Sequence, residues 1–257
     1  METKISSSIS VLTLLKVLLL CKAVSLCMVS VSYSQTSTQS NPRLLQAENY
    51  LESDQIEKAN VLYKAIEEEY CNPSVKEEAG VCFEAKIGII NLSRRSISSE
   101  EVIKLAKEAL GYLDENVIQN ESYQRNVLYR VLVLENLGLN RLEKAGEWVS
   151  SIREQAIDEE NLRARALAQS VLGDYEDALG NYNKAISFYS AAIEMAEEVD
   201  SIDATHRQLI QLYNNLGVSY RQIGKLDEAM IQYEASLDLI HEYYGFGNKD
   251  EAVTFIN

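Results

Sequence analysis

Residues 213–239, from Tyr213 to Leu239, read YNNLGVSYRQIGKLDEAMIQYEASLDL, and the spacing within that stretch decides the fold. Tyr213, Leu216, Gly217 and Tyr220 recur at i, i+3, i+4 and i+7, one face of an α-helix. Gly224 then ends the helix, because glycine adopts positive φ without steric cost. Leu226, Ala229, Tyr233 and Leu237 repeat the periodicity on a second helix. The small residues Gly217 and Ala229 let two antiparallel backbones approach closely, with Tyr220 and Tyr233 expected to fill the gaps beside them.

Working outward, the same two-helix unit recurs. Asn41-Pro42 starts a first helix containing Ala47 and Tyr50, and Asp54 with Glu57 is expected to cap a second. Ile56, Ala59, Tyr63 and Ile66 form the second helix's stripe. A second unit runs from about Ser74 to Glu115, its later helix opened by the capping box Ser98-Ser99-Glu100-Glu101. The third spans Ser122 to Ile157, with Asn140 and Glu143 expected to cap its later helix. The fourth has an indistinct first helix, Asn161 to Leu179, then Tyr182, Ala185, Tyr189 and Ala192 on the second. The small residues Ala59, Ala106, Ala145, Ala185 and Ala229 act as a ruler, with steps of 47, 39, 40 and 44 residues.

Leu-Gly-x-x-Tyr at 216–220, Gly224, and Ala-x-x-x-Tyr at 229–233 together resemble the tetratricopeptide repeat (TPR). The long steps, and His241-Glu242-Tyr243-Tyr244-Gly245 after the last unit, are similar to the kinesin-light-chain-like subgroup. Units four and five carry the resemblance in detail, and unit one carries it fairly well. Units two and three match in pattern only, which leaves a HEAT-like or irregular α-solenoid open for that part. The resemblance implies an all-α, right-handed α-solenoid of about five antiparallel helix pairs over residues 41–248. Residues 249–257, with Ala252, Val253, Phe255 and Ile256 apolar, read as the start of a further helix. Such an uncapped edge implies either a longer protein or self-association through the C-terminal end.

The 257-residue chain carries a net charge of −15. Residues 1–34 hold Lys4, Lys16 and Lys22 against Glu2, a net +2, which leaves −17 for the remainder. So acidic a chain repels phosphate backbones and anionic lipid, so no nucleic-acid partner is expected. The run VLTLLKVLLLCKAVSLCMVSV before Ser32-Tyr33-Ser34 predicts a secretory signal over 1–34, followed by a polar linker at 35–40. Lys16 and Lys22 would each cost roughly 2.5–3.5 kcal/mol at a bilayer centre, which disfavours a permanent span. The predicted location is therefore periplasmic or extracellular, with an uncleaved anchor as the other reading.

Cys71 and Cys82 are then the two cysteines of the mature chain. A helix starting directly after Asn72-Pro73 would put Cys82 about 12 Å along it, out of reach of a disulfide. A loop over Ser74–Gly80 would permit one. Both alternatives stand on the sequence alone. The two histidines, His206 and His241, have no metal-ligand spacing with these cysteines, and neither metal nor cofactor is expected. No nucleophile elbow, Walker loop or His-Glu-x-x-His occurs, so no enzyme is expected. Asn91-Leu92-Ser93 and Asn120-Glu121-Ser122 fit the glycosylation sequon, a pattern that also arises by chance.

What remains is a surface for a protein or peptide partner. In TPR stacks the first helices line the concave side. On the fifth unit's first helix, Gln211, Asn214, Asn215, Val218, Arg221 and Gln222 lie opposite the Tyr213–Leu216–Tyr220 face. By resemblance, Asn215 matches the groove asparagine that hydrogen-bonds the backbone of an extended peptide. Unit four has Val171 at the corresponding place. The implied function is an exported, non-catalytic peptide-binding scaffold. The other reading is the sensor or scaffold portion of a longer signalling receptor or enzyme.

Overall fold

The computed structural model describes residues 41–71, 78–118, 121–156, 160–199, 202–245 and Thr254, with the backbone alone for Glu52 and residues 202–205. The expected signal segment, the linker, Asn72-Pro73, Asn120 and the apolar residues Ala252, Val253, Phe255 and Ile256 lie outside the described residues. Those residues form ten helices and no strand. In chain order they are α1 (Pro42–Glu52), α2 (Ile56–Tyr70), α3 (Ala79–Ser93), α4 (Ser99–Glu115) and α5 (Glu121–Gly138). Then follow α6 (Leu142–Ala156), α7 (Leu162–Ala178), α8 (Tyr182–Glu197), α9 (Ile202–Gln222) and α10 (Leu226–Tyr244).

Each odd-numbered helix packs antiparallel on the even one after it, which gives the five pairs of an α-solenoid. Helix α1 also touches α3, α5 touches α7, and α7 touches α9, so the first helices form a layer of their own. The alanine ruler marks the crossings: Ala59, Ala106, Ala145, Ala185 and Ala229 are all buried. Three apolar clusters share α3 and α7 between them, so the core runs from each pair into the next. A first helix is thereby buried on several sides. That is why α3, AGVCFEAKIGIINLS, shows almost no amphipathic period. No described helix is long and apolar enough to cross a membrane.

Asn41 caps α1 by accepting from the Arg43 backbone N–H at 3.0 Å, and Ser98 and Glu101 form the reciprocal capping box of α4. Two expected caps are corrected. Asp54 and Asn140 do not cap α2 and α6; each sits one residue earlier, in the left-handed region at φ 57°. They take the place that Gly180 (φ 76°) and Gly224 (φ 79°) take in the later hairpins. In all four turns the following residue's N–H reaches back five residues: Gln55 to Tyr50, Arg141 to Asn136, Asn181 to Glu176 and Lys225 to Tyr220, at 2.7–3.0 Å. The same helix-ending motif thus closes four of the five hairpins. Asp and Asn fill it because their short polar side chains tolerate positive φ.

Helix α3 begins at Ala79, so Cys82 falls in its first turn and not along a helix running from Pro73. Its sulfur is bonded to that of Cys71 at the end of α2, with the Cα atoms 5.0 Å apart. The bridge ties the first pair to the second. At the other end Thr254 is helical and buried, its hydroxyl 3.5 Å from that of Ser236 on α10.

Candidate functional site

The face predicted on α9 divides into three by its neighbours. Gln211, Asn215 and Val218 are half-buried, while Arg221 and Gln222 are exposed at the helix's end. Asn214, expected on the open groove, is instead only 3% exposed. The reason is periodicity: Ile210, Asn214 and Gly217 stand at i, i+4 and i+7, and that stripe faces α10. Ser236 of α10 donates its hydroxyl to the Ile210 carbonyl at 3.1 Å, and the Tyr233 ring covers Gly217. Asn214 therefore belongs to the packing of its own pair.

Asn215 and Ser219, one turn apart, face α7 instead. The Asn215 amide Nδ2 donates to Asp174 Oδ1 at 3.1 Å, and the Ser219 hydroxyl donates to Asp177 Oδ1 at 2.7 Å. Asp174 and Asp177 are themselves a turn apart on α7, so two rungs join the first helices of units four and five. The partner of Asn215 on α7 is thus Asp174; Val171, at the matching position, is fully buried among apolar residues.

Asp174 is the hub of this seam. Tyr189 of α8 donates its hydroxyl to the same Oδ1 at 2.9 Å. On the other side Nε of Arg130, from α5, stands 3.8 Å from Oδ2, too long for a hydrogen bond, so that attraction is coulombic. Both side chains are about nine-tenths buried. Burial pushes the Asp174 carboxyl up from the usual carboxylate range, while Arg130, Tyr189 and Asn215 draw it back. Burial likewise raises Asp177, opposed by the Ser219 hydroxyl. Further along the layer Arg94, at the end of α3, donates Nε to Glu135 of α5 at 2.8 Å. Polar links thus run from unit two to unit five between successive first helices.

A second polar cluster lies at the other end. Glu84 of α3 is pushed up to about 7, first by burial and then by the charge of Glu48 on α1. The Tyr63 hydroxyl of α2 is raised by burial and by the same two carboxylates. Among the described residues no group of three or more His, Cys, Asp and Glu side chains could hold a metal ion.

Arg130 and Asp174 each carry a signal in the sequence. Arg130 interrupts the apolar run VLYRVLVL, and Asp174 directly follows Leu172-Gly173. A charge inside an apolar first helix marks a position that must find a partner on another helix. Spacing along one helix cannot name that partner, which lies 41 residues away for Asn215.

Residues 167–199 and 210–240 match the family model of the tetratricopeptide repeat. Each match covers most of a first helix and the second helix after it, the α7–α8 and α9–α10 pairs. Among solved structures the chain is similar to BtubC (BKLC) from P. vanneervenii, with a TM-score of 0.59 at 20% identity. The alignment covers 78% of this chain and 80% of that one, and likeness at that identity speaks for the fold. A comparison with curated proteins returns no match.

Proposed function

We propose that this chain, a TPR solenoid, binds an extended segment of a protein partner along its layer of first helices, without catalysing a reaction and outside the cytoplasm. TPR folds serve as scaffolds for protein–protein contact, and the two repeats matched at 167–199 and 210–240 support that general role here. The observation that carries the finer reading is the α7–α9 seam. There Asn215 is fixed by Asp174 at a half-buried position, while Arg221 and Gln222 stand exposed one to two turns further on. A polar side chain held by a buried partner loses little entropy when it meets a ligand. The Leu-rich leader at 1–34 and the Cys71–Cys82 bridge support export, since disulfides persist in oxidising compartments.

The test is capture of a partner with the full chain as bait, followed by Asn215→Ala and Arg221→Ala. Each variant should fold and lose about 1–3 kcal/mol of binding. If both fold and capture the partner as the wild type does, the seam is not the binding site.

A further inference from the structure

Helices α8 and α10 hold the same place in successive units, so their faces compare residue by residue. With Ala185 and Ala229 in register, Tyr182, Ile186, Tyr189 and Ile193 of α8 correspond to Leu226, Met230, Tyr233 and Leu237 of α10. On α8 this row is covered. Ile186, Tyr189 and Ile193 pack into the cluster that α8 shares with α9, which also holds Tyr213, Leu216 and Tyr220. On α10 the row is open at its start. Leu226 is 60% exposed and Met230 59%, with Ile231 beside them at 59%, while Tyr233 and Leu237 are half-buried. Toward the other end Ser236 and Ile240 are fully buried, and Thr254 packs there with its hydroxyl 3.5 Å from that of Ser236. Among the described residues, then, a cover lies over the C-terminal half of α10 and none over the N-terminal half. A single exposed apolar side chain needs no partner, but three within one and a half turns mark a docking surface.

The charge around the row decides what fits it. Helix α10 carries five carboxylates, Asp227, Glu228, Glu234, Asp238 and Glu242, and neither lysine nor arginine. Glu234 and Asp238 are exposed one and two turns beyond Met230, and Glu234 stands where α8 has the uncharged Ser190. Two cations belong to the α9–α10 turn, at the start of the row. Lys225 faces Glu228 at 3.6 Å; burial raises the Tyr233 hydroxyl, and Arg221 opposes that rise. A second copy of the chain would bring two such acidic rows together, which makes it the wrong occupant. We infer that the N-terminal half of α10 docks an amphipathic helix of another protein, an apolar stripe flanked by lysine or arginine, as α8 takes α9. The inference uses a different face from the α7–α9 seam and does not depend on the groove reading.

The experiment uses fluorescein-labelled helical peptides of about 20 residues, long enough to hold a helix, titrated into the full chain at physiological salt. The first carries the Tyr213–Leu216–Tyr220 stripe of α9 with lysine on both flanks. The second has glutamate on the flanks, and the third keeps lysine but has serine in place of the stripe. The first should bind at least about tenfold more tightly than either of the others. Met230→Glu should weaken it by at least about tenfold. Val61→Glu, at an exposed apolar position on α2, and Asn215→Ala should each leave it within about twofold. Equal binding of the serine peptide would mean attraction by charge alone, and with preference for the glutamate peptide or no saturable binding it overturns the inference. So does a loss with Val61→Glu or Asn215→Ala as large as that with Met230→Glu. Sedimentation should show a monomer; a dimer that Met230→Glu dissolves would make a second copy the occupant and overturn the inference. Circular dichroism and urea unfolding should find Met230→Glu and Leu226→Ser as stable as the wild type. Marked destabilisation of both would mean that the chain itself covers this face, and the inference fails.

Discussion

At Gly173 an added Cβ would stand 2.5 Å from Cε1 of Tyr189, and at Gly217 the same distance from Cε1 of Tyr233. Each tyrosine ring lies on the glycine of its own pair, not beside it as the spacing alone suggested. The two sites differ in what the ring can do next. Tyr189 is 2% exposed and its hydroxyl is bonded to Asp174, whereas Tyr233 is half-buried. Gly173→Ala must push the Tyr189 ring away from a fixed partner, so its cost should reach the upper part of the overpacking range, about 3 kcal/mol. Gly217→Ala should cost about 1 kcal/mol, because the Tyr233 ring can swing outward. Denaturant midpoints of the two variants check the order; equal losses would mean the hydroxyl bond does not hold the ring. At Gly88 an added Cβ would likewise stand 2.4 Å from Cε1 of Tyr63, but across the junction of units one and two. No Leu-Gly-x-x-Tyr surrounds Gly88, so the motif could not point to it.

Elements end where they do because of the turns, and here residue type fits two different roles. Asp and Asn are common helix caps, and Asp54 and Asn140 each stand three residues before a glutamate, as a capping box requires. Both residues also tolerate positive φ, and the second property decides in these hairpins. The alignment of Asp54 and Asn140 with Gly180 and Gly224 would have shown this from the sequence. Between α1 and α3 the acidic pair makes a prediction about pH. Glu84 ionises at about 7 in the folded chain against an ordinary 4.5. Between those values the folded state binds more protons than the unfolded one, so stability falls as pH rises from about 4.5 through about 7. Glu84→Gln should be more stable than the wild type by about 1–3 kcal/mol at alkaline pH and nearly equal in acid. Urea unfolding of both chains across that range is the check. Parallel curves at every pH would show that Glu84 is not held out of water.

Across the whole molecule, the helical class, the five pairs and the alanine ruler were legible because they depend on spacing within about 40 residues. The inner layer was not, because its contacts join different units. Asn215 could be placed beside its neighbours on α9, but Asp174 becomes its partner, and Arg130 the partner of Asp174, only when α5, α7 and α9 lie in one layer. Asn214 was misplaced for the same reason, since α10 closes over the stripe that it shares with Gly217. This layer, one seam per unit step, is where a partner is proposed to lie. Hydrogen exchange of the full chain, with and without its captured partner, tests that placement most directly. Binding should slow exchange in α7 and α9, most strongly around Asp174–Asp177 and Asn215–Ser219, and leave α6, α8 and α10 nearly unchanged. Protection confined to α6, α8 and α10 would contradict it.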